Sequence, residues 1–252
     1  MLSRGLADNV TETEGFYEKS FEVFIREGGF IVKSLTDDDE MNQAFRLRHR
    51  IFCEDLEWVP QSDDLMEIDG YDCHAAHIGV FDQDNTIVAF SRLVFPGTIF
   101  MIEKEFSSLM GPCHKIRKQN DTTEASRLCV APESRRMLVN SDFGSHGLSM
   151  LVYKGMYHWC VMHNIRYVYM VVELKVYRML QAKGFRSQMV GDPRTMPDGC
   201  VAVAALIDWE EFIAVNTSIR PCFVKWFTLN ELCQTARPKQ RLESWSRPEA
   251  FA

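Results

Sequence analysis

Arg48 lies on the same predicted helix face as two aromatic residues. Phe45, Arg48 and Phe52 are spaced i, i+3 and i+7, so they share one side of a 3.6-residue helix. A guanidinium that faces a protein core is costly to bury unless an anion pairs with it. The spacing therefore predicts a buried ion pair and leaves open which carboxylate supplies the anion.

Two further arginines occupy the interiors of predicted strands. Arg92 alternates with Phe90 and Val94 in the segment AFSRLVF, and Arg127 lies within EASRLCV. A charged side chain at such a position also needs a buried partner. The carboxylates predicted to be these partners are Asp69, Asp72 and Glu124.

This group of opposite charges has two interpretations. A purely structural network would fix the acidic loop 62–72 onto the sheet. A ligand that bears both a carboxylate and an ammonium would require the same arrangement. Trp58, at the end of the predicted helix, is a core anchor in the first interpretation and a flat wall for a ring of the ligand in the second.

The spacing of Glu124 and Arg127 adds a geometric requirement. The two residues are three positions apart, so an ideal strand directs their side chains to opposite faces. If they share a site, the strand must contain a bulge between them, or its end must splay away from the neighbouring strand.

Periodicity and turn residues predict the elements that carry these side chains. Thr36 is the expected cap of a helix that runs through the acids DDDE to about Trp58 and stops before Pro60. The other predicted elements are a strand or hairpin at 21–35, a hairpin at 75–95, strands at 124–132, 165–173 and 200–209, a helix at 146–164 and a helix that ends at Gly184. This order predicts an α/β fold, with helices on both faces of a mixed central sheet.

Length and composition limit the class of protein. The 252 residues predict one domain over 21–233, preceded by a polar arm at 1–20 and followed by a disordered tail at 234–252. The net charge of −7 argues against a nucleic-acid partner. No apolar run is long enough for a signal peptide or a membrane span, so we expect a cytoplasmic protein without integral membrane association. The eight cysteines form no CxxC pair, which is typical of free cytosolic thiols, and we expect no metal site.

The charged and aromatic residues resemble, in register, the signature of the acyl-homoserine-lactone synthases of the LuxI type, the autoinducer synthases. Arg48, Phe52 and Trp58 are followed by EIDGYD at 67–72, by Arg92 and by the segment EASRLCV. The resemblance extends over about residues 43–208. Family members have a fold similar to the GNAT N-acyltransferases, so it implies a three-layer α/β/α sandwich.

The resemblance also implies a reaction. An acyl chain would pass from acyl-acyl-carrier protein to the α-amine of S-adenosylmethionine, followed by lactone closure and release of methylthioadenosine, without a cofactor. Glu124 is the expected base, because an ammonium must lose a proton before it attacks. Ser126 and Arg127 complete the implied catalytic group. The residues implied to line or brace the S-adenosylmethionine site are Arg48, Phe52, Trp58, Asp69, Asp72 and Arg92.

The donor side is also implied by the resemblance. Val172 stands where some family members have a Thr that is associated with 3-oxo acyl chains, although the apolar strands around it equally resemble an ordinary core. The stretch VAPESRRMLVNSDFGSHG lacks the glycine pattern with which acetyl-CoA users hold a pyrophosphate, which agrees with a carrier-bound donor. The basic residues expected to contact the acidic carrier are Lys115, Arg117, Lys118, Arg135 and Arg136.

Two alternatives remain beside the lactone synthase. Asp55 and Pro60 depart from the family pattern, and the chain is longer at both ends. The region around Arg48 is equally similar to N-acyl amino acid synthases and exosortase-associated acyltransferases, which use another amine. The third candidate is a non-catalytic module that binds acyl carrier protein, and the near-complete set of charged residues argues against it.

Overall fold

The described part of the chain, residues 22–230 of a computed structural model, is built on one large sheet with helices on both faces. The strands are, in chain order, β1 (Phe24–Glu27), β2 (Phe30–Ser34), β3 (Ala75–Phe81), β4 (Ile87–Val94), β5 (Thr122–Val130), β6 (Leu138–Ser141), β7 (Gly144–Gly147), β8 (Tyr167–Glu173), β9 (Ser187–Met189), β10 (Arg194–Thr195) and β11 (Val201–Asp208). The α-helices are α1 (Asp38–Arg48), α2 (Met101–Lys104), α3 (Leu148–Met162), α4 (Leu174–Ala182), α5 (Trp209–Ile219) and α6 (Pro221–Thr228), and a π-helix covers His49–Asp55. The predicted arm at 1–20 and tail at 234–252 lie outside the described residues.

The sheet is mixed, as predicted. Its order is β1-β2-β3-β4-β5-β8-β11-β10, and β9 also pairs with β11. The β5–β8 pair is parallel, and the other neighbours in the sheet are antiparallel. One apolar cluster, which includes Ile78 and Trp159, joins the sheet to α3 and the later helices. Another, which includes Leu47 and Phe90, joins the opposite face to α1, so the three-layer α/β/α arrangement is confirmed.

The start of α1 differs from the prediction by one residue. The side chain of Asp37, not Thr36, caps the helix by accepting hydrogen bonds from the amides of Asp39 (2.9 Å) and Glu40 (3.3 Å). Either residue type is a good cap. A carboxylate in addition carries a full negative charge to the positive end of the helix dipole, which favours Asp37.

The predicted continuous helix to Trp58 is also wrong. After Arg48 the chain widens into the π-helix, in which the amide of Leu56 donates to the carbonyl of Ile51 five residues earlier (3.0 Å). Four side chains of this segment are buried, namely those of His49, Ile51, Phe52 and Cys53. Two amides beyond the helix, those of residues 58 and 59, then donate to the carbonyl of Phe52.

The central strands β5 and β8 pair over only part of their length. Thr122–Ala125 of β5 face Tyr167–Met170 of β8, and the pairing ends there. Beyond this point β5 pairs with β4 alone and β8 with β11 alone, so the sheet opens into a gap between its two halves.

Several elements were not predicted. The hairpin of β6 and β7, the short strands β9 and β10, and the helices α5 and α6 were absent from the sequence-based assignment. Signals for both helices exist. Asp208 caps α5 by accepting from the amides of Glu210 (2.9 Å) and Glu211 (3.4 Å), and Pro221 occupies the first turn of α6.

No helix among residues 22–230 is long and apolar enough to cross a membrane. The seven cysteines in this range are free, and Cys233 lies outside it. No group of three or more His, Cys, Asp or Glu side chains within the same range converges to hold a metal ion.

Because α3 packs closely on the sheet, replacement of Gly155 by a larger residue should be unfavourable. A Cβ at this position would lie 2.6 Å from Cγ1 of Val32 and 2.8 Å from Cγ2 of Ile78, and both side chains are fully buried. We expect Gly155→Ala to lower the free energy of unfolding by about 1–2 kcal/mol, because overpacking outweighs the better helix propensity of alanine. Urea unfolding measures this effect. Gly70→Ala, where a Cβ meets nothing within 4 Å, is the control, and equal effects of the two changes would contradict the packing argument.

Candidate active site

Three arginines and three carboxylates form a closed ring of ion pairs beneath the loop that joins the π-helix to β3. Each arginine bonds to two acids, and each acid bonds to two arginines. In order around the ring the residues are Arg48, Asp72, Arg92, Asp69, Arg127 and Glu67. The predicted convergence of the three guanidinium groups is therefore confirmed.

Arg48 and Arg92 form the buried part of the ring, and neither is exposed to solvent. Arg48 donates to Glu67 (Nη2–Oε2, 2.5 Å) and to Asp72 (Nη1–Oδ1, 2.6 Å). Arg92 donates to Asp72 (Nη1–Oδ1, 2.8 Å) and through both of its Nη atoms to Asp69. The anions that meet Arg48 are thus Glu67 and Asp72.

Asp72 is the carboxylate shared by the two buried arginines. Burial acts to raise its pKa, but the hydrogen bond and charge of Arg48 and the charge of Arg92 outweigh burial and lower the pKa to about 2. Its Oδ2 also accepts from the amide of Asp69 (2.8 Å), which folds the loop back on itself. The loop is held at its other end by the amide of Glu67, which donates to the carbonyl of Phe45 in α1 (3.1 Å).

Arg127 reaches the ring through a β-bulge. Phe90 of β4 faces Cys129 of β5, while Arg92, two residues further, faces Ser126, three residues back. The extra residue on β5 is accommodated at Arg127, whose φ of +55° lies in the left-handed region. The bulge required for Arg127 and Glu124 to share a site is present.

The exposed edge of the ring consists of Arg127 and Asp69, whose side chains are 14% and 22% exposed. Nε and Nη2 of Arg127 bond to the acids, with distances from Nη2 of 2.9 Å to Glu67 and 3.0 Å to Asp69. Nη1 of Arg127 meets no carboxylate among residues 22–230, and its recorded contact is Sδ of Met101 at 3.9 Å. One guanidinium nitrogen is therefore directed away from the ring.

Glu124 does not belong to the ring, so its predicted pairing with an arginine is wrong. It is almost fully buried, and its Oε2 accepts from the amide of Met101 (2.5 Å) while its Oε1 accepts from that of Ile102 (2.9 Å). Burial raises the pKa of Glu124 from 4.5 to about 7, although the two amides and the charge of Arg92 act to lower it. A carboxylate with this pKa can accept a proton near neutral pH.

Two residues of the site were not assigned by the sequence analysis: Glu67 as a member of the ring, and Met101 as a contact of Arg92. Glu67 lies in the segment EIDGYD, two positions before Asp69, and this alternation was a usable signal for a shared face. Met101 lies in a segment without periodicity, and its Sδ is 3.3 Å from Nη2 of Arg92. Nothing in the sequence indicated that contact.

Ser126 is hydrogen-bonded to the ion-pair ring through Arg92. Its hydroxyl accepts from Nε of Arg92 (3.0 Å), and its backbone carbonyl accepts from the hydroxyl of Ser91 (3.2 Å). Its assignment to the catalytic group remains a prediction, and the contact recorded for its side chain orients an arginine.

Phe52 and Trp58 form an aromatic border beside Arg127. Their ring centroids are 6.3 Å apart, and the guanidinium carbon of Arg127 lies 5.5 Å from the centroid of Phe52. Trp58 is 44% exposed, so it is not the core anchor of the structural interpretation. The exposed indole of Trp58, beside the ion-pair ring, is available to contact a ligand.

Val172 lies on β8 two residues beyond the end of the β5–β8 pairing, at the edge of the gap. Its side chain packs against the apolar cluster on the α3 side of the sheet, as do those of Leu128 and Val130 of β5. Both walls of the gap are therefore apolar on this face.

The five basic residues predicted to bind a carrier fall into two groups at opposite ends of β5. Arg117 donates to Asp121 (2.6 Å), next to the start of the strand, while Arg135 donates to the carbonyl of Val130 at its end (3.3 Å). Eight residue steps of about 3.3 Å separate the ends of β5 by roughly 26 Å. Lys118 is ion-paired with Glu103 (2.6 Å). The two groups do not form one surface.

The chain is similar to several known proteins in sequence and in fold. The family profile described as autoinducer synthase matches residues 33–214. A probable acyl-homoserine-lactone synthase of Sinorhizobium fredii is 27% identical over 179 residues, which are 69% of this chain and 83% of that protein. The solved structure of BjaI, a CoA-dependent acyl-homoserine lactone synthase, has a TM-score of 0.61 at 22% identity and covers 72% of this chain and 82% of its own. FeeM, an N-acyl amino acid synthase from uncultured soil microbes, has a TM-score of 0.53 at 12% identity, with coverage of 75% and 96%.

Removal of Arg48 should destabilise the protein strongly. Arg48→Ala leaves Glu67 and Asp72 buried with one arginine each, so we expect the free energy of unfolding to fall by about 3–5 kcal/mol. Arg50→Ala is the matched control, because Arg50 and its partner Glu133 are 46% and 60% exposed, and its effect should stay below about 1 kcal/mol. Chemical unfolding of both variants measures the difference. Similar losses for the two variants would contradict a buried ring.

Glu124 should make stability depend on pH. Since its pKa is higher in the folded protein than the usual 4.5, its stabilising effect is complete below pH 4.5 and is lost as the pH rises through about 7. Glu124→Gln is neutral at every pH, so its free energy of unfolding should gain up to about 3 kcal/mol relative to the wild type between pH 4.5 and about pH 8. Unfolding curves over this range test the pKa, and a constant difference would contradict it.

Proposed function

The chain belongs to the autoinducer synthase family and is an acyltransferase, and we propose that it transfers an acyl chain from acyl-acyl-carrier protein to S-adenosylmethionine and closes the product to an acyl-homoserine lactone. The observation that carries the proposal is the charge ring with one outward guanidinium nitrogen, which lies beside a buried carboxylate with a pKa near 7. Arg127 lies two residues beyond the end of the β5–β8 pairing, and Glu124 lies one residue before that end.

The exposed edge of the ring suits a zwitterionic acceptor. In this proposal Nη1 of Arg127 bonds to the carboxylate of the acceptor, and the partly exposed Asp69 next to it attracts the cationic groups of the acceptor. Trp58 and Phe52 provide the aromatic border for the adenine ring. In this proposal Arg48, Arg92 and Asp72 do not touch the acceptor and hold Arg127 and Asp69 in place.

Glu124 serves as the base of the acyl transfer. It removes a proton from the α-ammonium, and the freed amine attacks the thioester carbon, so that a carbon–nitrogen bond forms. The carbon–sulfur bond of the thioester then breaks, and the thiolate that leaves on the carrier takes up the proton from Glu124. The nitrogen loses its second proton to the regenerated carboxylate of Glu124 and from there to solvent, which leaves a neutral amide and a free carrier thiol. A base with a pKa near 7 suits both the acceptance and the return of the proton.

Lactone closure needs no further base. The carboxylate oxygen of the acylated S-adenosylmethionine attacks the γ-carbon, and the carbon–sulfur bond of the sulfonium breaks. The electron pair of that bond stays with sulfur, so methylthioadenosine leaves as a neutral thioether. Arg127 would orient the carboxylate for this attack.

The acyl chain enters through the gap between the strands, and Val172 lies on its apolar wall. Arg135 and Arg136 are exposed close to the end of β5, where the gap is open, and they precede the exposed apolar side chains of Met137 and Leu138. This combination suits an acidic carrier protein. Of the basic residues predicted to contact the carrier, the proposal therefore retains Arg135 and Arg136 and leaves out Lys115, Arg117 and Lys118.

The second candidate acceptor is a free amino acid. FeeM, which shares the fold, is described as an N-acyl amino acid synthase. A free amino acid is also a zwitterion, and it would use the same Nη1 of Arg127. It contains no sulfonium and releases no methylthioadenosine, so the products separate the two functions.

Purified protein mixed with acyl-acyl-carrier protein and S-adenosylmethionine should yield methylthioadenosine and an acyl-homoserine lactone, both detected by mass. Glu124→Gln is the control, and it should stay folded while its turnover falls by about 100-fold or more. Consumption of the thioester only with free amino acids would replace the lactone synthase by an N-acyl amino acid synthase. Binding of the carrier without consumption with any amine would leave a non-catalytic module. Use of acyl-CoA in preference to the carrier would overturn the proposed donor.

A further inference from the structure

His77 on β3 is a buried histidine in direct contact with the surroundings of the ring. It lies opposite Arg92 in the β3–β4 register and is 7% exposed. Its imidazole stacks on Phe90, with ring centroids 5.8 Å apart, and meets the edge of Phe45 at 6.3 Å. The same two aromatic rings flank the guanidinium of Arg48. The imidazole is thus held between rings that also border the charge network.

The hydrogen bonding of His77 defines its tautomer. Nε2 is 3.1 Å from the backbone carbonyl oxygen of Asp72, and Nδ1 has no hydrogen-bond partner in the structure. Because a carbonyl oxygen only accepts, Nε2 carries the proton and donates it, and Nδ1 holds a lone pair. The charged groups that face the imidazole of His77 are Asp72, Arg48 and Arg92. Burial, together with the two arginines, lowers the pKa of His77 despite the opposing effect of Asp72, so the imidazole is neutral.

The carbonyl that His77 holds belongs to the residue that joins the two buried arginines. Asp72 begins the 3-10 turn Asp72–His74, and its own amide donates to the carbonyl of Asp69 (3.1 Å). The far end of the turn is held by the amide of His74, which donates to the carbonyl of Tyr71 (3.1 Å), and by the carbonyl of His74, which accepts from the amide of Phe95 (2.8 Å). The carbonyl of Asp72 itself is held by His77. A fixed main chain leaves only the two side-chain torsions of Asp72 free, and its bonds to Arg48 and Arg92 define those. His77 is thus connected to Asp69 at the exposed edge by a chain of hydrogen bonds: His77 holds Asp72, Asp72 accepts from Arg92, and Arg92 donates to Asp69.

We propose that His77 is a positioning residue for the acceptor, because its Nε2–H fixes the main chain of Asp72 and thereby the orientation of the ring edge formed by Asp69 and Arg127. This inference rests on the proposed function, since it assigns the acceptor to that edge. The donor enters on the opposite side of β5, so its binding should not depend on His77.

Kinetics of two variants test the assignment. His77→Leu keeps an apolar side chain between Phe90 and Phe45 but removes the donor, and we expect the KM for S-adenosylmethionine to rise about fivefold to tenfold. The KM for the acyl donor should change less than about twofold. His77→Gln places an amide N–H near the position of Nε2 and should restore most of the affinity for the acceptor. His74→Leu, at an exposed histidine of the same turn, is the control and should leave both KM values unchanged.

A spectroscopic measurement separates this inference from the proposed function. Nitrogen chemical shifts of the His77 imidazole should show a protonated Nε2 and an unprotonated Nδ1 at about pH 7.5 in the wild-type protein, whatever acceptor it uses. An Nδ1–H tautomer or an imidazolium would overturn the proposal. Equal rises of both KM values in His77→Leu, or no rescue by His77→Gln, would reduce His77 to a structural residue. Failure of the wild type to use S-adenosylmethionine, with the expected tautomer, would instead contradict the proposed acceptor.

Discussion

The closed ring of three guanidinium and three carboxylate groups is the interaction on which the rest of the structure depends. It joins α1, the acidic loop, β4 and β5, which are separated by as many as 79 residues between Arg48 and Arg127. Each charge has two partners of opposite sign, so the ring as a whole is neutral and its buried members have no unpaired charge. Such a network tolerates burial only when it is complete, and completeness also makes it rigid.

The bulge at Arg127 links this ring to the opening of the sheet. A regular strand would direct Arg127 to the other face of the sheet, toward the apolar cluster on the α3 side and away from Glu67 and Asp69. The left-handed backbone of Arg127 carries a cost of about 1–2 kcal/mol, which its contacts with Glu67 and Asp69 offset. Pairing of β5 with β8 ends at Ala125, just before the bulge. The same irregularity therefore orients an arginine and lies where the gap between the strands begins.

Part of this arrangement could be predicted from the sequence. The spacing of Phe45, Arg48 and Phe52 indicated a buried arginine, because periodicity fixes which side chains share a face. The three-residue separation of Glu124 and Arg127 likewise implied a bulge. Sequence could not decide which of four nearby acids would meet the arginines. Glu67 took the place expected for Glu124.

The remaining failures have a common physical cause, which is that the deciding contacts are non-local. The partners of Glu124 are main-chain amides at 101 and 102, in a segment whose sequence has no regular pattern. The π-helix has no distinct local signature either, since its sequence continues the pattern of α1 and only the burial of its inner face against the sheet selects the wider turn. The helices α5 and α6 are a different case. Their local signals, Asp208 and Pro221, are present in the sequence, so both helices could have been predicted.

The π-helix also limits how this segment can change its length. A π-turn contains one residue more than the α-helical turn it replaces. Deletion of a single residue between His49 and Asp55 would restore ordinary helical bonding and leave the residues that follow, Trp58 included, in nearly the same register. Insertion of a further residue, without a second wide turn, would rotate those residues by about 100° about the axis and carry Trp58 away from the site. The segment can therefore lose one residue with less displacement of Trp58 than if it gained one.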